Sequence, residues 1–543
     1  MSQPTNSNHE LPTPPLESLE AVTILVSSRA VIPDYQNNLT VSPATITISS
    51  TTGHILSVLP LILDESHFPP GTPYEDKSPY ILIPGLVDTH VHLNEPGRTE
   101  WEGFATGTRA AASGGVTTVI DMPLNAIPPT TTAKGLEEKI KAAQSQCWVD
   151  VGFYGGIVPG NTDQLLPLVE AGVRGFKGFL IESGTLINTF PPKVEEFPAV
   201  SPEDVALAMK TLASTPTTLL FHAEMETPAI TATSKGSSMN SREEAKLAKA
   251  YDTFLVSRPP TFETTAIREI IKLAPIAPDL RLHIVHLSAH EALPILRSAR
   301  QKGVNITAET CFHYLALASE DISTGDTRHK CCPPIRSKQN KLKLWEELVR
   351  EDSVIQTVVS DHSPCTPELK LLPPHLERHA SENGTQGATK VESGEDQNTS
   401  KGSFFEAWGG VASVGLGLPI LWTAIQSLDL LETITITDIV TWCCENTSKQ
   451  VGLQHKKGAL RAGLDADICV FDDEASSVVE ESRLLFRNKV TPYEGKTLKG
   501  VVKETYLRGQ KIFASESGGI DESQVPMGKL LLDKLVADKE EKS

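Results

Sequence analysis

From Glu20 to Pro84, apolar and polar positions alternate in short β-branched runs at 21–26, 44–48 and 55–59, separated by turn formers. A period of two predicts strands. The same texture returns at 466–471 and 500–513, so the two ends of the chain are expected to pair into one small β domain. Between them the pattern changes to short, wholly apolar runs, each followed by a stretch with helical spacing. The expected strands are 86–92, 116–122, 151–156, 173–180, 218–224, 282–288, 305–311 and 354–361. Helices such as 101–113, 136–146, 202–213, 264–273 and 290–302 are expected between most of them. Eight strand–helix units imply an α/β fold, a (β/α)8 TIM barrel. The barrel carries a small β-sandwich domain built discontinuously from both chain ends.

The segments follow from these patterns. Residues 1–18 are a polar, Pro-rich tail, 19–83 the first part of the β domain, and 84–456 the barrel. Residues 457–515 are the second part of the β domain and 516–543 a C-terminal tail. One insert, 373–403, is polar, rich in Gly and Ser, and almost free of apolar residues. It is expected to be a mobile surface loop after the eighth strand.

Composition narrows the class. At 543 residues the chain is too long for one compact domain, and 39% hydrophobic with 22% charged residues suits a globular protein. A formal net charge of -19 argues against nucleic acid or an anionic membrane as partner. The most apolar runs are short and interrupted, so no membrane span is expected. The N-terminus lacks the basic start and apolar core of a secretory signal. Eight cysteines are sparse for this length and form no C-x-x-C pair. Reduced thiols in the cytoplasm are the expectation, and a thiolate zinc site is not.

In a barrel of this kind the chemistry sits at the C-terminal strand ends. Those ends supply His90 and His92 from the first strand and Lys177 from the fourth. His222 comes from the fifth, His286 from the sixth and Asp361 from the eighth. Alternation puts His90 and His92 on the same face. A single strand-end His or Asp is usually structural, but six metal-compatible groups at the ends of five strands point to a metal centre.

Residues 86–121, with Lys177, His222, His286 and Ser360-Asp361-His362-Ser363-Pro364, resemble the cyclic amidohydrolases of the amidohydrolase superfamily, and among them the allantoinase group. The stretches 88–103, 309–315, 330–336 and 408–410 carry the same resemblance, which covers about residues 20–515. It implies two zinc ions per subunit. One is held by His90, His92 and Asp361, the other by His222 and His286, and a carboxylated Lys177 bridges them. It further implies hydrolysis of the cyclic amide of allantoin to allantoate by a hydroxide shared between the ions, with Asp361 as the catalytic proton carrier. Hydantoin or dihydropyrimidine hydrolysis on the same machinery is the alternative, and a non-catalytic scaffold homologue the remote one. Asn94, Ser288, His313 and Pro334 are the expected substrate contacts. The position of Asn94 is typically Arg in dihydroorotases, so the Asn favours a neutral ring. Asp88 and Glu224 are expected to orient imidazoles. His283 and His362 are expected to face away from the site. By analogy the assembly is a homotetramer.

Overall fold

The computed structural model describes residues 20–182, 196–226, 241–377, 400–521 and 523–535. The expected N-terminal tail and most of the polar insert, 378–399, lie outside the described residues. Among the described residues the central body is a parallel barrel. Its strands are Leu86–Val91, Val116–Asp121, Asp150–Phe153, Phe176–Phe179, Thr218–His222, Arg281–Ile284, Ile306–Cys311 and Ile355–Val359. Each pairs parallel with the next, except that the third reaches the fourth only through the short continuation Gly155–Gly156. The ring closes where Val91 bridges His362, and the His92 amide donates to the His362 carbonyl at 2.8 Å. Both faces of each strand are covered, which is why they read as unbroken apolar runs.

Three strands differ from expectation in ways that matter for the site. The third, expected to run unbroken over 151–156, is interrupted at Tyr154 and resumes as Gly155–Gly156, which pairs with the fourth. A Cβ at Gly155 or Gly156 would come within 2.7 Å of Phe176 or 2.4 Å of Phe197, so only glycine fits there. The sixth strand stops at Ile284 and the eighth at Val359. His286 and Asp361 then sit at positive φ, 41° and 44°. Turned backbone, rather than strand alternation, aims these two side chains. Non-glycine residues in the left-handed region are uncommon and concentrate where function over-determines geometry.

The helices pack outside the barrel with local signals in place. Thr132 caps Ala133–Ala143 by accepting from the Gly135 amide, and Ser201 with Asp204 forms a capping box on Pro202–Leu212.

The expected β domain is one hydrogen-bonded sheet of eight strands drawn from both ends. Its order runs Gln510–Ala514, Thr497–Leu507, Ile468–Val478, Ile81–Pro84, Val22–Pro33, Leu39–Ser49, Ile55–Leu59, with Tyr74–Asp76 beside Val22–Pro33. Period-two alternation sorts its side chains between two cores. Leu82, Ile468 and Val470 join Leu25, Ile46 and Ile48 in the domain's own core. Ile81, Ile83, Cys469 and Phe471 face the barrel and merge with its core.

The stretch 516–543, expected as a tail, is seated against the barrel in its described part. Val151 donates to the Lys529 carbonyl at 2.9 Å, and Leu531 donates to that of Val151 at 2.8 Å. Buried Arg174 donates to the Leu531 carbonyl through Nε at 3.1 Å and Nη2 at 2.8 Å. The segment extends the floor of the third strand, and the buried Leu531, at the centre of the run Leu530-Leu531-Leu532, is its apolar anchor. Among the described residues no helix is long and apolar enough to cross a membrane.

Candidate metal centre

At the C-terminal mouth of the barrel lies a cavity of about 150 Å³. His90, His92, Lys177, His222, His286 and Asp361 all line it. The six groups proposed from the strand ends therefore meet in one place. The two imidazoles of the first strand converge on a single carboxylate oxygen: Asp361 Oδ1 lies 3.2 Å from His90 Nε2 and 3.5 Å from His92 Nε2. These three ligand atoms lie within 4.8 Å of one another. His286 stands between the two halves of the site, its ring centroid 5.4 Å from that of His90 and 4.6 Å from that of His222.

Three of the four imidazoles are held from behind, and the fourth, His286, is fixed through its backbone amide. Glu309, from the seventh strand, meets His90 Nδ1 through Oε1, which also accepts from the His286 amide at 3.3 Å. Its other oxygen lies 3.2 Å from His283 Nε2. His222 Nε2 lies 2.7 Å from Glu224 Oε2, which also receives Arg258. Asn125 reaches His92 Nδ1 at 3.3 Å. Ser363 donates its hydroxyl to Asp361 Oδ1 at 2.9 Å. Asp88 lies one layer deeper, accepting from the backbone amides of His90 at 3.2 Å and Ser360 at 3.3 Å. Glu224 thus touches its expected imidazole, while Asp88 braces the backbone of His90. His283 and His362 turn away as expected, His362 towards Glu102 at 3.2 Å.

The donor set suits a divalent cation. His90 Nε2 and His286 Nδ1 are buried without any hydrogen-bond partner, which is costly unless something else takes their lone pairs. Burial lowers the pKa of all four imidazoles, most strongly for His90 and His286. Neutral imidazole is the form that ligates. Burial also brings the Lys177 amine down to about 8. For Asp361, burial alone would raise the carboxyl, but His92 and the neighbouring positive groups outweigh it and hold it below its ordinary value. The residues present therefore fit a metal ion bound by nitrogen and carboxylate oxygen.

The four expected substrate contacts are placed differently. None of Asn94, Ser288, His313 and Pro334 is among the described residues lining the cavity. Asn94 is buried at φ 62° and donates to the Pro364 carbonyl at 3.4 Å, tying the first strand's loop to the eighth's. Ser288 gives its hydroxyl to the Pro334 carbonyl at 2.7 Å and its amide to Glu263 at 2.9 Å. These two residues brace each other behind the wall. His313 is buried beside Cys311 and Asp361 with neither ring nitrogen bonded, and burial lowers it to about 4.

The wall is instead made by residues to which the sequence assigned no role. Asn125, Arg258, Ser363 and Trp408 line the cavity, with Phe254 and Phe405. Glu309 had a visible signal, a carboxylate inside the strand Ile306–Cys311 that is completely buried. Asn125 and Arg258 had none, because they lie in loops whose course only the folded chain reveals.

Residues 81–512 match the amidohydrolase family. The allantoinase of Saccharomyces cerevisiae is 46% identical over 503 residues, covering 90% of this chain and 95% of that relative. The allantoinase of Streptomyces avermitilis is 39% identical over 508 residues, covering 94% and 98%. Among solved structures, the L-hydantoinase (dihydropyrimidinase) of Arthrobacter aurescens superposes with a TM-score of 0.75 at 25% identity, covering 94% of this chain and 99% of that one. The barrel, the attached β domain and the histidine-rich mouth are thus accounted for together: the chain belongs to the amidohydrolase family and is a cyclic amidohydrolase.

Proposed function

We propose that this enzyme hydrolyses the cyclic amide of allantoin to allantoate. The observation that carries the reading is the convergence of His90, His92, Lys177, His222, His286 and Asp361 on one cavity in a chain 46% identical to a yeast allantoinase across nearly its whole length. Two zinc ions are the expected cofactors. His90, His92 and Asp361 would hold one, and His222 and His286 the other. Lys177, as a carbamate, would supply anionic oxygen to both. A cationic ammonium cannot ligate, and an amine brought down to about 8 by burial keeps a neutral fraction able to take up carbon dioxide. When bound, the ions supply Lewis acidity for the scissile carbonyl and lower the pKa of a shared water.

The chain's own residues then manage protons and orientation. Water adds across the C–N bond: a C–O bond forms at the carbonyl carbon, the ring C–N bond breaks, and one proton moves from water to the ring nitrogen. Asp361 is the carrier. Its carboxyl is held ionised, so it can accept that proton, and it returns it to the leaving nitrogen. Ser363 fixes the carboxylate through Oδ1, and Glu309 and Glu224 keep His90 and His222 aimed inward. Phe254, Phe405 and Trp408 enclose the ring and limit bulk water.

We also assign the protein to the cytoplasm as a homotetramer. All eight cysteines are free and seven are buried, which suits a reducing compartment. The competing reading, hydantoin or dihydropyrimidine hydrolysis, is supported by the solved-structure likeness. Turnover of allantoin, dihydrouracil and dihydroorotate by purified protein, with and without a chelator, separates the two. Allantoin is expected to be hydrolysed fastest and only without chelator. Fast dihydrouracil turnover with none of allantoin would overturn the assignment.

A further inference from the structure

We propose that Asn125 does two jobs in the site: its side-chain oxygen fixes the proton of His92 on Nδ1, and its side-chain N–H₂ donates to a carbonyl of the bound ring. The inference deepens the reading above and rests on it for the second job only. Asn125 follows the second barrel strand, is 5% exposed, and is the one carboxamide among the described residues lining the cavity. Its position is fixed from two sides. The backbone is left-handed, φ 68°, a conformation Asn tolerates better than most residues. Arg98 Nη1 donates to its carbonyl at 2.7 Å. Arg98 in turn lies 5.1 Å over the Trp101 ring, whose own ring meets the cavity-lining Trp408 at 4.6 Å.

As the side chain stands, Nδ2 lies 3.3 Å from His92 Nδ1, and Oδ1 is buried with no partner. That arrangement pairs a donor with an unprotonated Nδ1, so the ring proton would sit on Nε2, the atom that faces Asp361. An imidazole that offers its Nε2 lone pair to a cation must carry the proton on Nδ1 instead. The group facing Nδ1 must then accept, and a half-turn of the planar amide provides this without moving the backbone. The same half-turn puts two N–H donors where Oδ1 was unpartnered. A cyclic ureide, rich in carbonyl oxygens, is the ligand class such a donor recognises.

Two substitutions separate the jobs. Asn125→Gly removes the side chain and accepts φ 68° without strain. Asn125→Asp keeps an acceptor for Nδ1–H but cannot donate. Zinc affinity of the full chain is measured by competition with a chromophoric chelator, and KM for allantoin is measured at saturating zinc. Asn125→Gly is expected to bind zinc about 10–100-fold more weakly, the usual effect of losing a group that orients a ligating imidazole. Asn125→Asp is expected to bind zinc at least as tightly as the unmodified chain, while KM rises by about tenfold, the order of one lost hydrogen bond. A residue that only supports the fold would move both variants together. Unchanged zinc affinity in Asn125→Gly, or unchanged KM in Asn125→Asp, overturns the assignment. If the unmodified chain does not hydrolyse allantoin, the substrate reading fails, and the zinc affinities still decide whether Asn125 orients His92.

Discussion

Two clusters of buried charge sit at opposite ends of the barrel, and they are built on opposite rules. At the floor, Lys457 Nζ lies 2.7 Å from Asp150, 2.8 Å from Asp465 and 2.6 Å from Asp467. Arg508 Nη1 reaches both oxygens of Asp150 at 2.7 Å, its amide donates to Asp467 at 2.8 Å, and the Lys529 amide donates to Asp150 at 2.7 Å. This knot ties a barrel strand, the returning β domain and the C-terminal segment together. Three carboxylates stand close enough to hold a cation, and Lys457 already is that cation. At the mouth, four imidazoles and an ionised carboxylate line one cavity, and His90 Nε2 and His286 Nδ1 have no hydrogen-bond partner. A structural cluster closes its hydrogen bonds internally. A binding cluster leaves lone pairs pointing at an unfilled place, since satisfying them from within would remove the function.

The largest expected effect is at the mouth. Asp361→Asn keeps shape and volume but cannot carry a proton, so kcat for allantoin should fall by about 10³-fold. The denaturation midpoint should barely move, because Asn keeps a side-chain oxygen to accept from the Ser363 hydroxyl. A variant that unfolds at much lower denaturant would mean that this cluster is also structural. The floor should behave in reverse. Lys457→Met leaves buried Asp150 and Asp467 and half-buried Asp465 without their central cation, and removing one partner of a buried charge cluster costs about 3–5 kcal/mol. The urea midpoint should drop accordingly while kcat of the folded protein is kept. Loss of kcat at unchanged stability would break the division between the two ends.

How much of this was legible depended on how local the signal was. The six mouth residues each end an apolar run, so local pattern and barrel topology located all of them. The wall did not follow the same logic. Asn94 and Ser288 stand close to ligands along the chain, yet both turn to brace neighbouring loops. Their direction is set by a left-handed backbone at Asn94 and a strand that ends early before Ser288. Neither is visible in a period-two pattern. Asn125, Arg258 and Trp408 reach the cavity from loops whose ends are fixed by partners far along the chain. The floor knot was hidden for the same reason: Asp150 and Arg508 are 358 residues apart. The C-terminal segment looked like a tail because its described part is seated by backbone hydrogen bonds to residues far along the chain, which leave no mark on composition.

Glu309 provides a sharper test of the contrast, since it is a saturated group serving the unsaturated end. It is completely buried and meets His90, His283 and the His286 amide. If its purpose is to orient ligands, Glu309→Gln should weaken zinc affinity by about 10–100-fold, read as zinc lost on dialysis against a graded chelator series. The midpoint should fall less than for Lys457→Met. A stability loss as large as that of Lys457→Met, with zinc affinity kept, would place Glu309 with the floor.

The smallest expected effect is an alkaline signature of the floor alone. Burial by itself would lower the Lys457 ammonium, but Asp467, Asp150 and Asp465 outweigh it and raise its pKa above the ordinary 10.5. A group whose folded pKa is raised adds stability that is complete below the unfolded value and is lost as pH rises from there towards the folded one. The stability gap between the unmodified chain and Lys457→Met should therefore be constant from pH 7 to about 10 and narrow above it. One pH unit beyond 10.5 should close it by about 1.4 kcal/mol. Urea midpoints of both proteins at pH 8, 10 and 11.5 read this directly, and lysines common to both cancel in the difference. A gap that stays constant to pH 11.5 would mean that the ammonium of Lys457 is not what holds the three carboxylates, and that the floor owes its stability to packing and to Arg508.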